Sequence, residues 1–323
     1  MRKLLLGTTA LAAAATLSAN AALADVSISG YYEWKVQSQS SDIASQDGTT
    51  FANDSEITFK FSNKTDSGLS IDMVTELQSD DADGAIDESS LSISGGFGKV
   101  VLGGNDGVGD NYGVSSTDLP AEEIYATSTT DGLTVLNSDI NGLEGDASKI
   151  AYHLPAMGGL TAGVSYTDSG AAGSTDTTQV GFKYAMEAGG AGITIGGATG
   201  TTEAATTDTD SQVLGVKVSS GNITAVVSQA TYEAASSVDE ESNGASVQFK
   251  VSDGMTFTVH TAKTDSSNDS QEYTNTGAEI AYTIASGLTA YINVEDYDYK
   301  VGTSSGNTAD SGTVSKLTVK AKF

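Results

Sequence analysis

Apolar residues occupy every second position in sixteen short stretches of the chain, and the positions between them are mostly polar. The first stretch runs from Val26 to Val36 and includes Ile28, Tyr32 and Trp34. A period of two is typical of a β-strand with one apolar and one polar face. The pattern predicts sixteen strands, at residues 26–36, 57–61, 69–73, 90–94, 100–102, 150–154, 160–166, 180–186, 193–195, 214–218, 223–227, 247–251, 255–259, 278–284, 288–294 and 317–323.

The connections between these strands alternate between short turns and long polar loops. The long loops cover residues 37–54, 79–85, 103–147, 168–176, 200–210, 231–242, 263–271 and 298–312. An even number of strands with turns at one end and loops at the other is typical of an up-and-down antiparallel barrel in an outer membrane. Beyond residue 24 no apolar run approaches the roughly 18 residues of a membrane helix, so a spanning chain would have to be a barrel.

A soluble β-sandwich or β-solenoid is the alternative architecture. Its sixteen strands would bury more large residues than the mixture of Ala, Gly, Ile and Val that this chain offers. The signal-like start, the even strand count and the terminal Phe323 agree with one another. We therefore predict an all-β fold, a 16-stranded antiparallel transmembrane β-barrel, formed by residues 25–323 as a single unit.

The first 24 residues resemble a secretory signal peptide rather than part of the fold. Arg2 and Lys3 precede an apolar run, and Ala22-Leu23-Ala24 has the small-x-small form of a cleavage site. Their removal would leave 13 lysines against 42 acidic residues. Such a chain cannot neutralise phosphates, so a nucleic-acid partner is excluded. The chain has no cysteine, which excludes disulfides and Cys metal sites.

The longest predicted loop, residues 103–147, is called the acidic loop here. It contains nine acids and no Lys, Arg or His. A structureless segment of this length inside a compact domain is usually functional. We expect the acidic loop to fold into the barrel as the third loop and to narrow it, with the constriction formed by Asp106, Asp110, Asp118, Glu122, Glu123 and Asp131.

Charged residues on the strands fall in the polar phase, which faces the lumen of a membrane barrel. The candidate wall residues are Glu33, Lys35, Glu56, Lys60, Asp72, Glu76, Lys183, Lys217 and Lys250. Each is either simple wet lining or a determinant of selectivity. We expect Lys35 and Lys60 to stand across from the acids of the loop, which would create a transverse field in the pore.

Catalytic and metal motifs are scarce. His153 and His260 fall in the lumen phase, but the chain has no HExxH, GxSxG or Walker motif. An enzyme is therefore not expected, and no cofactor is required. A hard cation can relieve the mutual repulsion of crowded carboxylates. We therefore also predict calcium at Asp106 and Asp110, where the sequence has one copy of a glycine-rich acidic pattern.

Four stretches give the chain a resemblance to a known family. They are residues 25–32, 92–104, 155–166 and the closing strand that ends in Phe323. In order and spacing they resemble the general diffusion porins of the Gram-negative outer membrane, closest to the alphaproteobacterial type. The resemblance implies a homotrimer of barrels in outer-membrane lipid, passive passage of small hydrophilic solutes, and recognition of Phe323 by the barrel-assembly machinery.

The chain departs from that family at the wall of the predicted pore. The family usually has Arg there, whereas this chain has Glu33 and Glu56. Cation selectivity is therefore expected. Two alternatives stay open from the sequence: the same barrel tuned to one solute class, and a secreted or surface-associated β-protein, an adhesin or matrix component, with acidic calcium-binding loops.

Overall fold

The computed structural model describes residues 25–78, 85–121, 143, 145, 147–168, 175–204, 208–234, 238–267, 271–301 and 308–323. The predicted signal peptide, residues 1–24, lies outside them. The strands are β1 (Asp25–Ser41), β2 (Gly48–Lys64), β3 (Ser70–Gln78), β4 (Ile86–Gly95), β5 (Gly98–Gly104), β6 (Ser148–His153), β7 (Leu160–Asp168), β8 (Asp176–Ala188), β9 (Ala191–Glu203), β10 (Thr209–Ser220), β11 (Ile223–Ala234), β12 (Val238–Ser252), β13 (Met255–Ser266), β14 (Gln271–Ala285), β15 (Leu288–Lys300) and β16 (Asp310–Lys322).

All sixteen strands pair antiparallel with their neighbours in one closed barrel. The barrel closes between β1 and β16, where Tyr32 lies opposite Ala321. At this seam the Gly30 amide donates to the Phe323 carbonyl and the Phe323 amide donates to the Gly30 carbonyl, both at 3.1 Å. The predicted fold class and strand number are confirmed.

The two ends of the barrel differ in their connections. Short connections join β2 to β3, β4 to β5 and the following pairs through β14 to β15, and we call this end the turn rim. Gly68 and Gly287 in these turns have φ of 88° and 75°, a conformation that glycine adopts without a Cβ penalty. The opposite end, the loop rim, includes the long connections and the acidic loop.

The strands extend further toward the loop rim than the hydrophobic pattern predicts. β1 continues to Ser41 and β2 begins at Gly48, with Ser38 paired to Thr49. Residues 37–41 and 48–54 were therefore wrongly predicted as loop. Apart from Phe51 and Ala52, both faces of the sheet are polar in this region, so hydropathy has no period there, while the backbone hydrogen bonds continue.

The exposure of the strands is the reverse of that in a soluble domain. Large apolar side chains such as Leu214 and Ile292 are 55% and 54% exposed, whereas Glu279 and Glu295 are only 1% and 2% exposed. Phe59, Val164 and Phe257 lie on three separate strands and none is buried. The apolar face therefore surrounds the closed sheet, as a lipid-facing surface does. No helix in the ranges given above is both long and apolar enough to cross a bilayer.

Candidate functional site

The acidic loop begins with a short ordered stretch after β5. It contains helix α1 (Val108–Tyr112) and a 3₁₀ turn (Ser116–Asp118). Gly113 ends α1, and its amide donates to the Gly109 carbonyl at 2.8 Å. The Ser115 hydroxyl caps the turn by accepting from the Thr117 amide. Short-range hydrogen bonds therefore give this part of the loop its local structure.

Residues 108–121, called the anchor segment here, cross the polar face of the barrel strand by strand. Five hydrogen bonds with strand side chains fix this path. Written donor first and in chain order of the segment, they are Val108 N to Ser165 Oγ (3.3 Å), Gly109 N to Gln179 Oε1 (3.0 Å), Ser116 N to Ser228 Oγ (2.9 Å), Gln248 Nε2 to the Leu119 carbonyl oxygen (3.0 Å) and Ala121 N to Glu279 Oε1 (3.0 Å). These partners lie on β7, β8, β11, β12 and β14, so the segment spans half of the barrel wall.

Four glycines on consecutive strands make room for this segment. We call Gly163, Gly181, Gly196 and Gly215 the glycine shelf. A Cβ at Gly181 would lie 2.8 Å from the Val108 carbonyl oxygen, one at Gly196 would lie 2.5 Å from that of Tyr112, and one at Gly215 would collide with that of Val114. Glycine inside a strand often marks the close approach of another backbone. The shelf was missed from the sequence, although glycine in the polar phase of four successive strands is a readable signal.

Apolar contacts complete the anchoring. Val108 and Tyr112 pack with Val101 of β5 and Ala151 of β6, and Val114 and Leu119 pack with Val226 of β11. Near the far end of the acidic loop, Leu143 is fully buried against residues of β9, β10 and β11. Both described parts of the loop therefore lie against the wall.

Tyr112 of the anchor segment and His153 of β6 form a buried polar contact. The Tyr112 hydroxyl lies 2.8 Å from His153 Nδ1 and 3.1 Å from the Ala162 carbonyl oxygen. One hydroxyl proton satisfies both contacts when Tyr112 donates to Ala162 and His153 carries its proton on Nδ1. Burial raises the pKa of Tyr112, so the hydroxyl keeps its proton at neutral pH.

Lys149 holds the two ends of the acidic loop together. Its buried Nζ donates to the carbonyls of Asn105 and Gly145, one near each end of the loop. A buried ammonium needs hydrogen-bond acceptors, and these two carbonyls provide them. Lys149 therefore closes the base of the loop.

The described acids at the start of the acidic loop are exposed. Asp106, Asp110 and Asp118 are exposed, whereas Val108 and Tyr112 between them are buried. The segment thus has an apolar side against the barrel and an acidic side toward open space. Glu122, Glu123 and Asp131, also predicted at the constriction, lie outside the described residues.

Several predicted wall residues meet one another rather than the loop. Lys35 Nζ lies 2.7 Å from Glu33 Oε2 and 3.1 Å from Asp54 Oδ2, and Lys320 forms a second ion pair with Glu33. The two lysines and two carboxylates neutralise one another. Lys35 is therefore engaged within the wall.

Lys60, in contrast, shares a cavity with the loop. This cavity, of about 350 Å³, lies between the start of the acidic loop and strands β2 to β6. Lys60, Asp72, Glu88, Lys99 and Asp106 all line it. Lys60 Nζ is 4.0 Å from Asp72 Oδ1, so its charge is only loosely compensated.

The remaining basic wall residues lie toward the turn rim. Lys183 and Lys217 are half-buried on β8 and β10. Lys250 Nζ lies 2.9 Å from Asp253 Oδ1, and this hydrogen bond holds the pKa of Asp253 below its ordinary value.

Three carboxylates at the loop rim come close together. Oxygens of Glu56, Glu76 and Asp87 lie within 4.8 Å of one another, the only such group found among the described residues. Asp87 was not predicted, because the register shift between β3 and β4 near Thr75 turns it toward the other two. Calcium at Asp106 and Asp110 stays a prediction.

Comparisons with known proteins agree with this fold. A family model of Gram-negative porins matches residues 7–302. Solved structures share the fold at low identity: OmpT of Vibrio cholerae in its trimer form (TM-score 0.69, 14% identity, 93% of this chain and 99% of that chain), an anion-selective porin from Comamonas acidovorans (0.66, 17%, 93% and 100%) and a mutant of the Rh. blastica porin (0.65, 16%, 93% and 100%). A search of curated proteins found no match.

Proposed function

The chain belongs to the Gram-negative porin family, and on that premise we propose that it forms a water-filled, cation-selective channel for passive diffusion of small hydrophilic solutes and ions. It is an outer-membrane β-barrel of sixteen strands. Family membership sets aside the alternative of a secreted or surface-associated adhesin. The observation that carries the proposal is an acidic segment anchored to the polar face of this closed barrel.

The first part of the proposal is that the acidic loop lies in the lumen. In an outer-membrane barrel the apolar face meets lipid and the polar face meets the lumen. Every strand contact of the anchor segment is on the polar face, among them Ser165, Gln179 and Glu279. A segment held there narrows the opening and leaves Asp110 and Asp118 facing the water column.

The second part is selectivity for cations. The exposed acids of the anchor segment face open space, while Lys35 and Lys320 are neutralised by Glu33 and Asp54. A ring of carboxylates in low-dielectric walls raises the local concentration of cations. One structural neighbour is described as an anion-selective porin, so the fold alone does not decide the sign. The charges of this chain support cations.

The reversal potential of the purified protein in a planar bilayer tests this function. Under a tenfold salt gradient, roughly two thirds or more of the current should be carried by cations. Asp110→Lys should shift the potential toward the anion side by several millivolts, because it reverses a charge in the lumen. Asp253→Lys, in the turn between β12 and β13, is the control and should shift it much less. An anion-favouring sign in the unmodified protein, or equal shifts in both variants, would contradict the proposal.

Assembly forms the third part of the proposal. OmpT of Vibrio cholerae is described in a trimer form, and we propose a homotrimer for this chain as well. The exposed apolar belt, including Val26 and Ile28 at more than half exposure, supports contact with lipid and with other copies. We also propose that the exposed aromatic Phe323 is recognised by the barrel-assembly machinery.

A further inference from the structure

Among the lysines on the polar face near the turn rim, three lie beside wall positions that the anchor segment covers. Lys99 directly follows Gly98 at the start of β5, Lys183 lies five residues before the end of β8, and Lys217 lies three residues before the end of β10. At a rise of about 3.3 Å per residue, all three are within about 17 Å of that rim along their strands. Each precedes or follows by two residues a wall position that the anchor segment covers, namely Val101, Gly181 or Gly215.

These three ammonium groups keep their charge uncompensated. Within the described part of the chain, none of them forms an ion pair. Apart from Lys320, which pairs with Glu33, seven lysines lie near the turn rim, against five carboxylates: Lys60, Lys64, Lys99, Lys183, Lys217, Lys250 and Lys322 against Asp25, Asp66, Asp72, Glu187 and Asp253. Asp72 lies beside Lys60 and Asp253 beside Lys250. Lysine is charged at neutral pH, so the turn side of the anchor segment has a surplus of positive charge.

The loop side of the same segment has the opposite character. Asp110 and Asp118 are exposed there, and the oxygens of Glu56, Glu76 and Asp87 lie within 4.8 Å of one another. The luminal lysines at this level are bound: Lys35 pairs with Glu33 and Asp54, and Lys149 donates to two loop carbonyls. Negative charge therefore prevails on the loop side of the anchor segment.

We infer that the lumen has two zones of opposite charge in series, carboxylates on the loop side and lysines on the turn side, and that the channel therefore rectifies ion current. This inference rests on the proposed function, because it requires a water-filled lumen. When the loop side is positive, cations enter through the carboxylate zone and anions enter through the lysine zone, so mobile ions accumulate between them. With the opposite voltage both species leave the middle of the pore, and the current falls.

Salt concentration separates this effect from a purely geometric one. The Debye length is about 10 Å at 0.1 M salt and about 3 Å at 1 M, so the zones act across the lumen only in dilute salt. The ratio of currents at equal positive and negative voltages should be about 1.5 or higher at 0.1 M, and about 1 at 1 M. The larger current should flow when the loop rim faces the positive chamber.

Single-channel recordings in planar bilayers test the inference. All proteins have Ala156→Cys in the exposed turn between β6 and β7, because the chain has no other cysteine. A thiol-reactive polymer too large for the pore, added after the recording to one chamber, reports which rim faces it. The test protein has Lys99→Gln, Lys183→Gln and Lys217→Gln, and the control has Lys263→Gln and Lys300→Gln on the outer face, where both lysines pair with Glu272.

The triple variant should bring the current ratio at 0.1 M close to one, whereas the outer-face control should keep the ratio of the parent protein. The double variant Asp110→Asn, Asp118→Asn removes charge from the opposite, carboxylate zone and should also lower the current ratio. It tests the inference even if the triple variant does not fold. A parent channel that conducts symmetrically at 0.1 M, or a ratio unchanged in both luminal variants, would overturn the inference alone. A folded protein with no conductance would instead overturn the proposed function.

Discussion

Glu33 lies between two lysines, and this contact changes how its charge acts on the lumen. The sequence suggested that an acid in place of a family arginine would favour cations at this point of the wall. Instead, Glu33 and Asp54 balance Lys35 and Lys320 within one cluster. Individual wall charges therefore depend on their cross-strand neighbours. Under the proposed function, we expect the exposed acids of the anchor segment to have the greatest influence on passing ions.

At the same scale, Gly215 has a role that its missing side chain explains. Gly215→Ala would place a Cβ in contact with the Val114 carbonyl oxygen, so either the anchor segment or β10 would have to move. Overpacking of this kind costs roughly 1–3 kcal/mol. We expect a lower urea midpoint for unfolding of the barrel in lipid vesicles.

The matched control is Gly48→Ala, whose added Cβ would meet no atom within 4 Å. Its urea midpoint should equal that of the parent protein. Equal midpoints for Gly215→Ala and Gly48→Ala would mean that the anchor segment does not lie on the glycine shelf.

At the scale of elements, the described part of the acidic loop lies along the barrel wall, with apolar side chains against the strands and its acids exposed. Its described residues contact strands from β5 to β14, and its base is closed by Lys149. Hydrogen bonds to side chains hold it at intervals, and the apolar groups of Val108 and Val114 fill the shelf between them. These described residues of the loop are therefore packed onto the barrel wall.

Releasing the base of the loop should expose it to protease. Lys149→Met removes the ammonium that bonds to the Asn105 and Gly145 carbonyls. A lost buried hydrogen bond of about 1–1.5 kcal/mol corresponds to roughly five- to tenfold more local opening. We expect cleavage by a glutamate-specific protease at Glu122 or Glu123 to speed up by that factor, as measured by mass spectrometry of the fragments.

Lys263→Met on the outer face is the control for this experiment, since Lys263 pairs there with Asp265 and Glu272. It should leave the cleavage rate unchanged. A rate in Lys149→Met no faster than in the control would show that Lys149 does not limit opening of the loop.

The elements also show which parts of the fold could be predicted from the sequence. All sixteen strands were predicted because a lipid-facing belt imposes a period of two on apolar residues. Strand ends near the loop rim, such as residues 37–41, were missed because both of their faces are polar. The partners of Lys35 and the inward position of Asp87 depend on strand register and on a local irregularity near Thr75, and neither leaves a trace in hydropathy.

At the scale of the whole molecule, one seam makes the sheet continuous. β16 pairs with β1 from Lys322 to Gly312, and this pairing closes the barrel. Closure leaves no unpaired strand edge, which is a requirement in hydrocarbon. Phe323 lies at this seam, with 71% of its surface exposed.

Phe323→Ala tests recognition of the terminal aromatic residue. The backbone bonds between residues 30 and 323 do not need the ring, so the closed barrel itself should lose little. If the assembly machinery reads the ring, the yield of folded protein in the outer membrane should fall several-fold. Heat-dependent gel migration of membrane extracts measures that yield.

Phe51→Ala provides the comparison, because Phe51 is an equally exposed aromatic residue, at 70%, and lies on β2 six residues along the strand from Ile57, the partner of Gly30. Its yield should match that of the parent protein. Equal yields for the two variants would remove the proposed role of Phe323, whereas refolding of both into detergent at equal rates would place the defect in assembly.

The glycine shelf beneath residues 108–114 also has a practical use. At its four glycines the wall presents only backbone. A foreign peptide with small side chains toward the wall and chosen side chains toward the water could therefore replace the native stretch without any change to the strands. The aperture of this nanopore could thus be redesigned by exchanging one insert while the scaffold stays constant.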